Sequence, residues 1–223
     1  GPKMEVRRNL MVDPFVVDDP ELYSELFVVL KKMRETPGWK EKLLRSIMTG
    51  AVQWTLSSYF GNPVSGSRTE QENREFYLDH SVIDIDAVDN HTIHLSEFKK
   101  KGIAVCAEKG AAAQNLLAFV GLESDLIASG DCRIPADAEE GAHYFILVQA
   151  QSGDMIYDPT NPSLVLDEHG RVTSYNPAIY PLTKEQAEKF AAGEPTIIEH
   201  SDTKIETDGK RTQKKTQRLY KRK

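Results

Sequence analysis

The run 106–120, CAEKGAAAQNLLAFV, is rich in Ala, Leu and Gln at helical spacing and stops at Gly121. Glycine ends helices because it enters the left-handed conformation at no steric cost. Beyond it the pattern turns strand-like, over 125–128, 142–150 and 154–157, with Ser152-Gly153 as a hairpin signal between the last two. Two further short runs, 163–166 and 171–175, flank Asp167-Glu168-His169-Gly170 as a second hairpin, and 183–192 reads as a Thr-capped helix closed by Gly193. One helix followed by antiparallel strands, without βα alternation, predicts an α+β fold in which that helix packs on an antiparallel sheet.

Upstream, DDPELYSELFVVLKKMR (18–34) predicts a helix with Pro20 in its first turn and Leu22, Leu26, Val29 and Leu30 on one buried face. A second helix is expected over 39–59, closed by the turn-rich GNPVSGS. These pieces divide the chain into an N-terminal helical extension (1–75), a core (76–200) and a tail (201–223). The tail is basic: 208–223 carries eight Lys or Arg against one Asp, a formal +7, leaving 20 basic and 33 acidic residues, a formal −13, for the rest. An acidic body is a poor nucleic-acid binder, and a basic, hydrophilic end is expected to be disordered. No apolar run approaches the roughly 18 residues of a membrane span. The start, GPKMEVRRNLMVDPF, has no apolar segment behind its basic residues, so the expectation is a cytoplasmic protein.

Three residues carry the candidate chemistry. Cys106 opens the helix 106–120, where unpaired amides and the helix dipole favour a thiolate nucleophile. His143 starts the apolar strand AHYFILV, and a turn at Ser152-Gly153 returns the chain towards Asp158 in IYDPT. A carboxylate on the adjacent strand would orient the imidazole, and the imidazole would activate a thiol. Cys132 is expected as a loop thiol, with a bridge to Cys106 as the alternative. A metal is not expected: Asp84, Asp86 and Asp89 lack the Gly and distal Glu of a calcium loop, and His91 and His94 have no further ligand at zinc spacing. No cofactor is expected either.

The order Cys, His, Asp, on a helix start and two adjacent strands, resembles the transglutaminase-like superfamily, of papain-like fold and short microbial type. Val105-Cys106-Ala107-Glu108 looks like its nucleophile motif. The segment 121–127 resembles its Gly-Ile-Pro-Ala-Arg stretch, and Asp158-Pro159-Thr160 its Asp-Pro-Thr ending. Tyr144 and Tyr157 stand where that family commonly has Trp and another aromatic. The resemblance, over about residues 80 to 165, implies a cysteine enzyme that acts on amide or peptide bonds of a protein or peptide substrate through a thioester. The backbone N–H of Cys106 is one oxyanion donor, with Gln53, Trp54 and Asn90 as candidates for a second. Arylamine N-acetyltransferases share the triad order but place Arg-Gly-Gly before the cysteine, where this chain has Lys101-Gly102-Ile103-Ala104. A non-catalytic binding module of the same fold is the remaining alternative.

Overall fold

The computed structural model describes residues 3–5, 15–41, 44–61, 67–80 and 92–223. The expectations for Asp84, Asp86, Asp89, Asn90 and His91 lie outside the described residues. The fold is mixed α+β with mainly antiparallel sheets, and it divides into two compact units, Gly1–Leu122 and Glu123–Lys223. That division falls inside the span 76–200 expected as one core. No helix among the described residues is long and apolar enough to cross a membrane.

The first unit is helical, with one small sheet. Strand β1 (Lys3–Glu5) pairs antiparallel with β2 (Phe15–Val17), which runs parallel to β3 (Thr92–His94). Helix α1 (Pro20–Arg34) is capped by Asp19, whose carboxylate accepts from the Glu21 N–H at 3.1 Å. Its 3.6-residue period buries Leu22, Leu26 and Val29 and leaves Leu30 half-buried. A 3₁₀ turn (Trp39–Glu41) precedes α2 (Leu44–Phe60), which packs against α1. Helix α3 (Ser67–His80) was not foreseen: SRTEQENREFYLDH is polar, and its buried stripe is only Asn73, Phe76 and Tyr77. Helix α4 (Leu95–Lys101) ends at Gly102, whose φ of +64° is the left-handed cap that glycine permits. Helix α5 (Cys106–Phe119) follows and packs against α2, burying Ala107, Ala111, Ala112, Leu116 and Leu117.

The second unit has two four-stranded sheets. The first is wholly antiparallel, in the order β4 (Ser124–Cys132), β5 (Gly141–Val148), β6 (Met155–Tyr157), β9 (Ile179–Pro181). The second has the order β11 (Arg211–Tyr220), β10 (Thr196–Ile205), β7 (Ser163–Leu166), β8 (Val172–Asn176), with β10 parallel to β7. Helix α6 (Lys184–Ala191) has the expected Thr183 cap, accepting from the Gln186 N–H at 3.1 Å. Its Phe190 joins Ile127, Phe145, Leu147, Ile156, Leu182, Ile198 and Tyr220 in the core.

The expected disordered tail is ordered. The stretch folds back through Asp208-Gly209, where Gly209 has φ +81°, and β11 pairs with β10 over their full length. Three physical reasons outweigh its hydrophilic composition. The even positions of its far half point inward, so Arg218 and Tyr220 are buried. The cations lie beside an acidic strand, with Lys215 Nζ 3.3 Å from Glu199 Oε1. Its outer edge pairs with the end of the β4 region, Arg133 and Leu219 exchanging N–H to carbonyl bonds of 2.9 and 2.8 Å.

Candidate active site

Cys106 is the first residue of α5, half-buried and a free thiol. Its N–H belongs to the first turn, where amides have no intrahelical acceptor. The approach to this turn is held from behind by Glu108, which is fully buried and receives the Val105 N–H at 3.4 Å. Asn73 on α3 donates from Nδ2 both to Glu108 Oε1 and, at 2.8 Å, to the Ile103 carbonyl. The acid two places after the cysteine is therefore a structural brace for the 103–106 turn. Lys109, one helical turn beyond Cys106, is also buried, with its amine 5.9 Å from the centre of the Phe60 ring. Burial pulls its pKa below the ordinary lysine value, against the opposing charges of Glu108 and Cys106.

In the second unit His143 and Asp158 come together. His143 lies on β5, and Asp158 follows β6 directly. Ile146 pairs with Tyr157, so the hairpin is centred one residue later than the mean of 143 and 158. The two residues accordingly meet on the diagonal and not as directly opposed partners. His143 Nε2 is 3.0 Å from both carboxylate oxygens. Both oxygens accept, so Nε2 carries a proton, and the lone pair of the neutral ring sits on Nδ1. The His143 side chain is 11% exposed and that of Asp158 is 0% exposed.

A fully buried carboxylate is costly unless its lone pairs are filled, and those of Asp158 are. Oδ2 receives the Tyr220 hydroxyl at 2.8 Å and the Asn161 amide at 3.0 Å, and Oδ1 receives the Thr160 hydroxyl at 3.2 Å and N–H at 3.4 Å. Its own N–H is tied to the Ala178 carbonyl at 3.0 Å. Burial alone would push the Asp158 pKa up. The charge and hydrogen bond of His143, with the bonds from Tyr220 and Asn161, override it and bring it to about 2. The group is a fixed anion that orients the imidazole and stabilises positive charge arriving on it.

A second pair lies in the same unit. His200 Nε2 is 3.0 Å from Asp202 Oδ1, and the Tyr180 hydroxyl is 2.7 Å from Nδ1. The Arg218 guanidinium reaches His200 Nε2 at 3.1 Å, Tyr180 Oη at 3.0 Å and the Asn161 carbonyl at 2.6 Å.

Of the other expectations, Cys132 is corrected: it ends β4 and is buried in the core, not a loop thiol, and both cysteines are free. Trp54 is 63% exposed on α2. Gln53 is buried beside it, with Nε2 donating to Ser57 Oγ at 3.1 Å. His94 is exposed and sits at the cap before α4, at the end of β3, its N–H donating to Glu97 Oε2 at 3.2 Å. No group of three or more His, Cys, Asp or Glu suited to a metal occurs among the described residues. Asn73, Asn161, Arg218 and Tyr220 escaped the sequence reading. Only Asp208-Gly209 between two polar β-prone runs signalled the hairpin that brings the last two in. No protein-family model, curated protein or solved structure matches the chain.

Proposed function

We propose that this chain is a cysteine-nucleophile enzyme of transglutaminase-like type, acting on amide or peptide bonds of a protein or peptide substrate. Cys106 is the nucleophile, His143 its base and Asp158 the residue that orients the base. The observation that carries the proposal is the His143–Asp158 pair: a carboxylate with no exposure and five donor groups, aimed with both oxygens at one ring nitrogen. A carboxylate that serves only to fill a core has no need of such an aim, and burying it is worthwhile where a charge must form next to it.

In the proposed reaction His143 Nδ1 takes the Cys106 proton, and Sγ attacks the carbonyl carbon. As the tetrahedral intermediate collapses, the C–N bond breaks, and the imidazolium returns the proton to the departing amine. The thioester then passes its acyl group to water or to a second amine. The Cys106 N–H is a donor for the oxyanion. Two free cysteines suit a reducing compartment, and we assign the protein to the cytoplasm on that ground.

The test is alkylation of the full chain with iodoacetamide from pH 5 to 9, read by mass spectrometry at each cysteine. Cys132 is 4% exposed and would label slowly through burial alone, so a free model thiol is the proper yardstick. Cys106 labels faster than the model thiol at pH 6.5, and His143→Ala removes that advantage. Equal rates would overturn the triad and favour the non-catalytic binding module. Acetyl-CoA-dependent acetylation of an arylamine, without amide cleavage, would instead favour the N-acetyltransferase reading.

A further inference from the structure

The hairpin strand β11 reaches the candidate site twice from the chain's far end. Tyr220, with no exposed surface, gives its hydroxyl proton to Asp158 Oδ2 at 2.8 Å. Two residues earlier on the same face, Arg218 is 7% exposed and donates from Nη1 to the Asn161 carbonyl at 2.6 Å. Asn161 in turn holds Asp158 Oδ2 through its side-chain amide at 3.0 Å. Direct and relayed contacts therefore converge on one carboxylate oxygen, 3.0 Å from His143 Nε2.

We infer that Tyr220 and Arg218 are positioning residues for His143: they fix the Asp158 carboxylate, Tyr220 directly and Arg218 through Asn161. This rests on the reading of His143–Asp158 as the base and its orienter. Space-filling alone does not account for the arrangement. Tyr220 packs edge-on to Phe145, with ring centres 5.1 Å apart, and a phenylalanine would make the same contact. The hydroxyl adds a charge-assisted bond, in which Tyr220 stays the donor because burial and the neighbouring Asp158 charge keep it protonated. Arg218 is costly to bury, yet among the described residues it forms no ion pair with a carboxylate. Its planar fork instead spans the Asn161 carbonyl, Tyr180 and His200, and a lysine could not hold all three in one plane.

Tyr220→Phe removes one oxygen and keeps the core shape, so it is the discriminating variant. Two readouts on the full chain separate positioning from packing: the NMR signal of the His143 Nε2–H proton, and the pH profile of Cys106 alkylation by iodoacetamide. In Tyr220→Phe the Nε2–H signal moves upfield as its bond to Asp158 loosens, and alkylation at pH 6.5 slows about threefold to tenfold. Arg218→Lys, which keeps the charge but loses the fork, moves both readouts the same way by less. If both folded variants keep the wild-type signal and profile, with only the melting temperature changed, the inference is overturned. If wild-type Cys106 labels no faster than a model thiol, the enzyme reading fails by itself. The Nε2–H signal then still decides whether Tyr220 and Arg218 hold the pair.

Discussion

Two of the histidine–carboxylate pairs in the second unit, those of His143 and His200, have the same bond length and opposite electrostatics. In both, Nε2 stands 3.0 Å from a carboxylate oxygen. At His143 the carboxylate is the buried member, at 0% exposure against 11% for the ring. At His200 the ring is the buried member, at 2% against 21% for Asp202, and it lies against the Arg218 guanidinium. The first pair is built around an anion and welcomes a positive ring. In the second, burial and then Arg218 push the His200 pKa below its ordinary value. A distance to a carboxylate thus says little about what a histidine can do; the group with the lower exposure and the next charge decide it.

The widest separation between the pairs is expected in reactivity. On the proposed reaction, His143→Ala is expected to lower turnover of an amide substrate by about 10² to 10⁴, the usual contribution of a general base, and to abolish the proposed low-pH alkylation of Cys106. The check is initial rates on a peptide-amide library, with alkylation as the substrate-independent control. A variant with turnover within threefold of wild type would remove the chemical distinction between the two pairs.

Stability separates them next. Asp158→Asn places an amide among donors arranged for a carboxylate and is expected to cost about 3 kcal/mol. Asp202→Asn, at a partly exposed site, is expected to cost about 1 kcal/mol. Urea unfolding of both variants at pH 7 measures the difference, and equal losses would show that the Asp158 cage is no more demanding than the Asp202 contact.

Acid sharpens the same point. The folded Asp158 titrates at about 2 against an ordinary value of 3.8. Its stabilisation is therefore complete above about pH 4 and is lost as the pH falls through about 2. The shift corresponds to about 2 kcal/mol. In Asp158→Asn that part of the acid unfolding curve flattens, and a curve that stayed parallel to wild type would show that Asp158 is not the depressed group.

What the sequence conveyed and what it hid follow from the range of the interactions. Helix α1, helix α5 and the β5–β6 hairpin were legible because period, caps and turn residues are local. Asp19 and Pro20 start α1, and Gly121 follows α5 within two residues. His143 and Asp158 were found together because only a short hairpin separates them. Their exact register, on the diagonal, was not legible, since a turn signal locates a hairpin but not its centre. The brace around Cys106 was hidden: Asn73 reaches Glu108 from 35 positions away, on a helix whose polar sequence shows almost no apolar stripe. Tyr220 was hidden more deeply, 62 positions from Asp158 in a stretch whose charge outweighs its pattern. Lys210 to Lys215 made it read as solvated, although the inward alternation that buries Arg218 and Tyr220 was already in the sequence.

The smallest expected effect is at His200, and it is the one whose sign matters. The folded environment lowers the His200 pKa, through burial first and Arg218 second, with Asp202 pulling the other way. The unfolded ring takes up a proton near the ordinary value of 6.5, at a pH where the folded ring still resists it. Its contribution to stability is thus present above about pH 6.5 and declines as the pH falls below it. The difference in unfolding free energy between wild type and His200→Gln should therefore shrink from pH 7.5 to pH 5.5. If it grew instead, Asp202 would dominate Arg218, His200 would be held as an imidazolium, and the electrostatic contrast between the two pairs would fail.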